Sequence, residues 1–114
     1  MEERILSVNS DGDLHFDNER LLSDYIDDEI RKMEKCSDGV VRRTCMLSLG
    51  ELCERHGLDC DAVGCYRNIL LSGIRKNAEP EVYRRAYEGL SRLSLSSNES
   101  AWELALQTLA ELPA

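Results

Sequence analysis

The stretch Asp38–Leu52, DGVVRRTCMLSLGEL, decides the fold, because it returns in altered form at Glu79–Leu93 as EPEVYRRAYEGLSRL. At a constant offset of 41 residues, Val41 falls on Val82, Arg43 on Arg84, Cys45 on Ala86, Leu49 on Leu90 and Leu52 on Leu93. The small and apolar matches recur at steps of three and four, which draws one buried stripe down an amphipathic helix. A helical segment repeated at this period is the pattern of a stacked-helix array, in which one unit cannot bury its apolar face alone.

The chain around this repeat divides into five helical segments. Asp17 or Asn18 caps a first helix that runs to Lys35, with Leu22, Ile26, Ile30 and Met33 inward and Leu21 and Tyr25 beside them. The second helix spans Gly39 to His56 and buries Val41, Cys45, Leu49, Leu52 and Cys53, with Gly57 as its left-handed stop. A third, from Asp59 to Lys76 and capped by Asp59 or Asp61, packs through Ala62, Val63, Tyr66, Ile69, Leu70 and Gly73. Pro80 opens the fourth, where its missing N–H costs nothing, and Val82, Ala86, Leu90 and Leu93 face inward. The fifth, Glu99 to Leu112 with Asn98 as its cap, turns Trp102, Leu104, Ala105, Leu109 and Leu112 to the core. The links are short, so successive helices pack as antiparallel neighbours. The expected fold is all-α: about five antiparallel helices stacked as α-solenoid-like pairs over residues 17–114, preceded by a non-helical segment over 1–16. In that segment Asp11-Gly12 lies between two short apolar runs, which fits a hairpin or a loose extension. Asn9, Asp11, Asp13 and Asp17 have part of the spacing of a calcium loop, but Gly12 precedes the third acid and Arg20 stands where the closing Glu belongs.

Charge narrows the partners. The net charge is −8, and residues 1–38 hold 12 Asp/Glu against 5 Lys/Arg. Such a surface repels phosphate backbones and anionic lipid, so nucleic acid and membrane are not expected, whereas a basic protein is admitted. MEERILSVNSDGD lacks the positive leader and apolar core of a signal peptide, and no apolar run is long enough to span a bilayer. Five cysteines without an export signal are expected as reduced thiols in the cytoplasm.

The two copies resemble the first helix of HEAT or armadillo-type repeats. The pieces that carry the likeness are Asp38, Val41, Arg42, Arg43, Cys45, Leu49, Gly50 and Leu52. In the second copy they are Pro80, Val82, Arg84, Arg85, Ala86, Leu90 and Leu93, with Ser91 in place of the glycine. The likeness covers residues 38–112 as two helix pairs. Leu49, Gly50, Ala62 and Tyr66 also fit a tetratricopeptide spacing, but Met46, Cys53 and Ile74 break it. The HEAT-like resemblance implies a non-enzymatic adaptor or assembly subunit, monomeric or homodimeric, that binds protein along the exposed side of its second helices. Arg67, Asn68, Arg75, Glu103 and Gln107 are the residues implied, with no cofactor.

Two chemical alternatives stand beside this reading. Cys53, His56, Cys60 and Cys65 are a soft N/S ligand set straddling one turn, which would make a zinc-stabilised regulatory domain if the four side chains converge. Cysteine periodicity argues instead for packing. Catalysis is the other. No nucleophile elbow or phosphate-cradling glycine loop is present, and the paired acids Asp27-Asp28 and Asp59-x-Asp61 fit solvent faces and helix caps. The Arg42-Arg43 and Arg84-Arg85 pairs have Glu51, Glu54, Glu81 and Glu88 close enough for neutralisation along the same helices.

Overall fold

The computed structural model describes residues 7–8, 14–15, 19–72, 74 and 77–112. The chain forms two compact units, Met1–Lys35 and Cys36–Ala114. The helix expected to open the repeat domain thus groups with the N-terminal segment. Asn9, Asp11, Asp13 and Asp17 of the calcium-like spacing, and Gly73 and Arg75, lie outside the described residues.

The first unit holds β1 (Ser7–Val8), β2 (Leu14–His15) and α1 (Glu19–Lys35). The two strands pair antiparallel, Ser7 with His15 and Val8 with Leu14. Along α1, Leu22, Ile26 and Met33 are buried, but Ile30 is 39% exposed. At about 100° per residue, Ile30 sits roughly 80° round from Leu22, whereas Ile26 and Met33 stay within roughly 40°.

The second unit contains α2 (Gly39–Arg55), α3 (Asp59–Leu70), α4 (Pro80–Leu93) and α5 (Glu99–Glu111). They form two antiparallel pairs, α2/α3 and α4/α5. The pairs stack so that α2 meets α4, α3 meets α5, and α3 also packs on α4. Local chemistry sets the helix ends. The Asp38 carboxylate accepts from the backbone N–H of Val40 at 2.9 Å and of Val41 at 3.2 Å, opening α2. At its far end Gly57 takes φ +74°, Leu58 N–H donates to the Cys53 carbonyl and Gly57 N–H to that of Glu54, the two bonds of a Schellman stop. Pro80 occupies the first turn of α4, and the Asn98 side chain accepts from Ala101 N–H at 3.1 Å to open α5. The cap expected of Asp59 or Asp61 is absent. Leu58 holds that position without a side-chain bond, and both acids lie in the first turn, where the helix dipole favours them.

Helix α3 stops at Leu70, short of the expected Lys76. The Ser72 hydroxyl donates to the Ile69 carbonyl at 2.7 Å and Leu71 N–H to that of Arg67, which closes the end locally. The core centres on this short helix: Ala62, Val63, Tyr66 and Ile69 are fully buried. In α2, Leu49, Leu52 and Cys53 are inside as expected and Leu47 joins them, but Val41 is 49% exposed and Cys45 is exposed too. In α5 the buried line is Ala101, Ala105 and Thr108, while Trp102, Leu104, Leu109 and Leu112 are half-buried at its flanks. Small residues let α5 lie close against α3 and α4.

Candidate functional site

In the second unit a tyrosine is held between two glycines. The Tyr66 ring comes from α3, flanked by Gly50 of α2 and Gly89 of α4. A Cβ at Gly50 would stand 2.9 Å from ring carbon Cε1, and one at Gly89 would stand 2.6 Å from Cζ. Neither position has room for a side chain, which is why both helices carry glycine there. The Tyr66 hydroxyl donates to Glu54 Oε1 at 2.8 Å, and the same carboxylate accepts from Arg92 Nε at 2.8 Å and Nη2 at 3.0 Å. One three-residue network therefore ties α3, α2 and α4 together.

Its protonation states follow from this geometry. Burial pushes Glu54 upward, but hydrogen bonds from Arg92 and Tyr66 outweigh it and hold the carboxyl below its ordinary 4.5. Burial, then the bond to the Glu54 carboxylate, pushes Tyr66 well above its ordinary 10.0. Arg92 is pushed up by its bond to Glu54.

Two further two-pronged pairs pin α2 to the α4 segment. Arg43 Nε donates to both Glu79 oxygens at 3.0 and 3.1 Å, and Nη2 donates to Oε2 at 2.6 Å. Arg85 donates to Glu51 from Nε at 3.0 Å and from Nη2 at 2.5 Å. Paired N–H forks matched to carboxylates fix register as well as charge. Of the arginine pairs, only Arg84 follows the expected pairing along its own helix, with Glu81 and Glu88. Arg43 and Arg85 cross between helices.

The described residues implied for partner binding lie on α3 and α5. Arg67 donates from Nη1 to Thr108 Oγ1 and Glu111 Oε1, each at 2.9 Å, so it joins α3 to α5. Asn68 is exposed on the other side. There α2 outreaches the shorter α3, and Asn68, Arg42, Met46 and Leu71 line an open cleft of about 370 Å³. Glu103 and Gln107 are exposed on α5. Arg75 lies outside the described residues.

The structure also exposes apolar surface that stripe counting missed. On α4, Tyr83 and Tyr87 stack with ring centroids 6.5 Å apart and planes 14° apart, and Tyr87 is 43% exposed. On α5, Leu106 is 47% exposed. On α2, Val40 and Val41 are open. The four-residue spacing of the tyrosines was the available signal.

The zinc set does not assemble. Cys53 and Cys65 are buried, whereas Cys60 and His56 are exposed and the Cys60 thiol points to Asn98 Oδ1 at 3.6 Å. Among the described residues no three His, Cys, Asp or Glu side chains are grouped to hold a metal. Among the same residues, no helix is long and apolar enough to cross a membrane.

The chain matches no protein-family model, no curated protein and no solved structure. The likeness to HEAT-type helices therefore rests on the residues quoted above.

Proposed function

We propose that this chain is a small non-enzymatic protein-interaction module, an adaptor or assembly subunit built on HEAT-like repeats. The observation that carries the reading is the apolar surface left open on α2, α4 and α5 of a stack pinned by ion pairs. Tyr87 and Leu106 lie open on α4 and α5, and Val40 and Val41 on α2. Stacked-repeat proteins keep such faces covered by a further repeat, a polar cap or a partner. Asn68, Glu103 and Gln107 supply polar groups for recognition nearby, and Arg67 shapes the surface through Thr108 and Glu111 rather than by direct contact. The acidic balance favours a basic protein over nucleic acid or an anionic membrane. Five free cysteines support a cytoplasmic, reducing setting, with the chain as monomer or homodimer before it meets its partner.

The test compares affinity capture from lysate at moderate salt by the wild-type chain and by Tyr87→Asp/Leu106→Asp. A defined partner held by the first and lost by the second, with helical content unchanged, supports the reading. The same proteins on both, or none on either, sinks it. Native mass spectrometry of the captured complex then gives its stoichiometry.

A further inference from the structure

The four arginines of the two pairs are not neutralised equally. Arg43, Arg84 and Arg85 each hold a carboxylate, whereas Arg42 holds none among the described residues. At positions three and four away along the chain, its one acidic neighbour is Asp38. The Asp38 carboxylate is spent on the N–H groups of Val40 and Val41. Arg42 is exposed and borders the open cleft of about 370 Å³. Helix α2 has 17 residues and α3 has 12, so α2 is longer by about 7.5 Å and its start runs past the end of α3. Arg43 adds a second donor there. Its Nε and Nη2 are on Glu79, which leaves Nη1 without a hydrogen bond. Nη1 lies against the start of α2, where a Cβ at Gly39 would stand 3.2 Å away. Met46 and Leu71 give the cleft apolar wall, Leu71 being 46% exposed, and exposed Asn68 adds an amide. Among the described residues no carboxylate lines it. In a chain of net charge −8, this cleft carries the opposite sign.

We propose that this cleft binds a short acidic and aliphatic peptide segment of a protein partner, an inference that rests on the interaction reading above. A carboxylate of the segment sits on Arg42 and the open Nη1 of Arg43, and a neighbouring aliphatic side chain lies against Met46 and Leu71. Charge complementarity selects the occupant. Arg42 supplies the uncompensated charge, and a planar guanidinium offers paired N–H groups that match a carboxylate. A polyanion such as nucleic acid meets repulsion from the rest of the acidic chain, and a single carboxylate meets the least. Size and shape favour a peptide over a free small molecule. Sites for small molecules bury about 70–90% of the ligand. An open cleft gives less cover than that, which suits two side chains of a segment held along its length. Asn68, already implied for partner binding, is placed to bond the backbone of that segment.

The test titrates the full isotope-labelled chain with a capped synthetic peptide, glutamate-leucine flanked by glycines, and follows backbone amide shifts by NMR at low salt. A matched peptide with glutamine for glutamate, sodium acetate and inorganic phosphate are titrated in parallel. The expected result is a saturable shift of the Gly39, Arg42, Met46, Asn68 and Leu71 amides with the glutamate peptide and none with the glutamine peptide. Arg42→Gln should weaken binding about tenfold. Leu71→Ser should weaken it less, through lost apolar contact. Arg42 has no bond to lose and Leu71 is exposed, and each variant's own spectrum reports its fold. The wild-type titration against the glutamine peptide decides the matter even where a variant folds poorly. No saturable shift, equal binding of the glutamine peptide, or an unchanged affinity in folded Arg42→Gln would each overturn the proposal. Shifts of the same size from acetate or phosphate at equal concentration would overturn it too, by reducing the cleft to a simple anion site. The capture experiment with Tyr87→Asp/Leu106→Asp leaves these residues intact, so failure of the cleft and failure of the interaction reading are told apart.

Discussion

The two copies of the repeat, α2 and α4, share a sequence pattern but not an environment. Their second halves match: Leu49 and Leu90 are buried, and so are Leu52 and Leu93. Their first halves do not. Ala86 is fully buried, while its counterpart Cys45 is exposed, and Val82 is half-buried where Val41 is open. The reason is the position of α3 between them. Tyr66 touches α2 at Gly50 and α4 at Gly89, so the two helices meet α3 with opposite flanks. On α2, Val41 is nine residues before Gly50, roughly 180° round the helix and away from α3. On α4, Val82 is seven residues before Gly89, roughly 20° away and on the sheltered side. Helix α4 also packs on α5 as well as on α2 and α3. A repeat in sequence therefore yields an inner helix and an outer one.

The strongest way to break this comparison is to remove the residue both copies clamp. Tyr66→Ala should cost about 3–5 kcal/mol by urea unfolding, through lost burial and the cavity left between α2 and α4. A loss below about 1 kcal/mol would show that the two glycines close on each other and that the ring is not the spacer.

The glycines themselves sharpen the contrast. Gly89→Ala should cost about 1–3 kcal/mol, because a methyl there meets three ring carbons at less than ordinary contact. Gly50→Ala should cost less, since its nearest approach of 2.9 Å is to the edge carbon Cε1 and alanine recovers about 1 kcal/mol of helix propensity. Equal midpoints for the two variants would remove the asymmetry.

Glu54→Gln tests the polar tie across the copies and should cost about 1–2 kcal/mol, leaving Arg92 and the Tyr66 hydroxyl weakly satisfied. The pH profile carries the same information. Glu54 is held below 4.5 in the folded chain, so its contribution is complete above that value and is lost as pH falls through its folded pKa. Tyr66 is raised, so its contribution is complete below 10.0 and is lost as pH rises beyond it. Thermal melts should give a plateau between these limits, with the acid shoulder reduced in Glu54→Gln and the alkaline shoulder reduced in Tyr66→Phe.

The smallest effects come from exchanging equivalent residues. Ala86→Cys should cost about 1 kcal/mol by overpacking a closed site, whereas Cys45→Ala should change stability by less than about 0.5 kcal/mol at an open one. If the two exchanges had equal effects, α2 would be as enclosed as α4.

Much of this was legible in the chain. Asp38, Pro80 and Asn98 open helices by rules that involve their own neighbours, and Gly57 closes one in the same way. Leu49 and Leu90 were readable because each lies where any packing of its helix must bury it. Arg67 was not readable, since an arginine on a second helix looks solvent-directed until Thr108 and Glu111 are brought opposite it. The same holds for Arg43 and Arg85: their acidic partners lie 36 and 34 residues away, while nearer glutamates offered simpler pairing. The zinc set failed for a related reason, because spacing along the chain placed four ligands near one turn but helix phase sent only two of them inward.

The sequence by itself determined that the chain is helical, where most helices begin and end, and that one helix pattern occurs twice. Those features depend on contacts within a few residues, which periodicity and capping encode directly. Only the tertiary structure decided which flank of each copy is covered, which arginine meets which glutamate, and that Tyr66 is the pivot between Gly50 and Gly89. Such choices depend on the rotation of whole helices against one another. A rotation of one residue step, about 100°, exchanges buried and open positions while leaving every local signal unchanged.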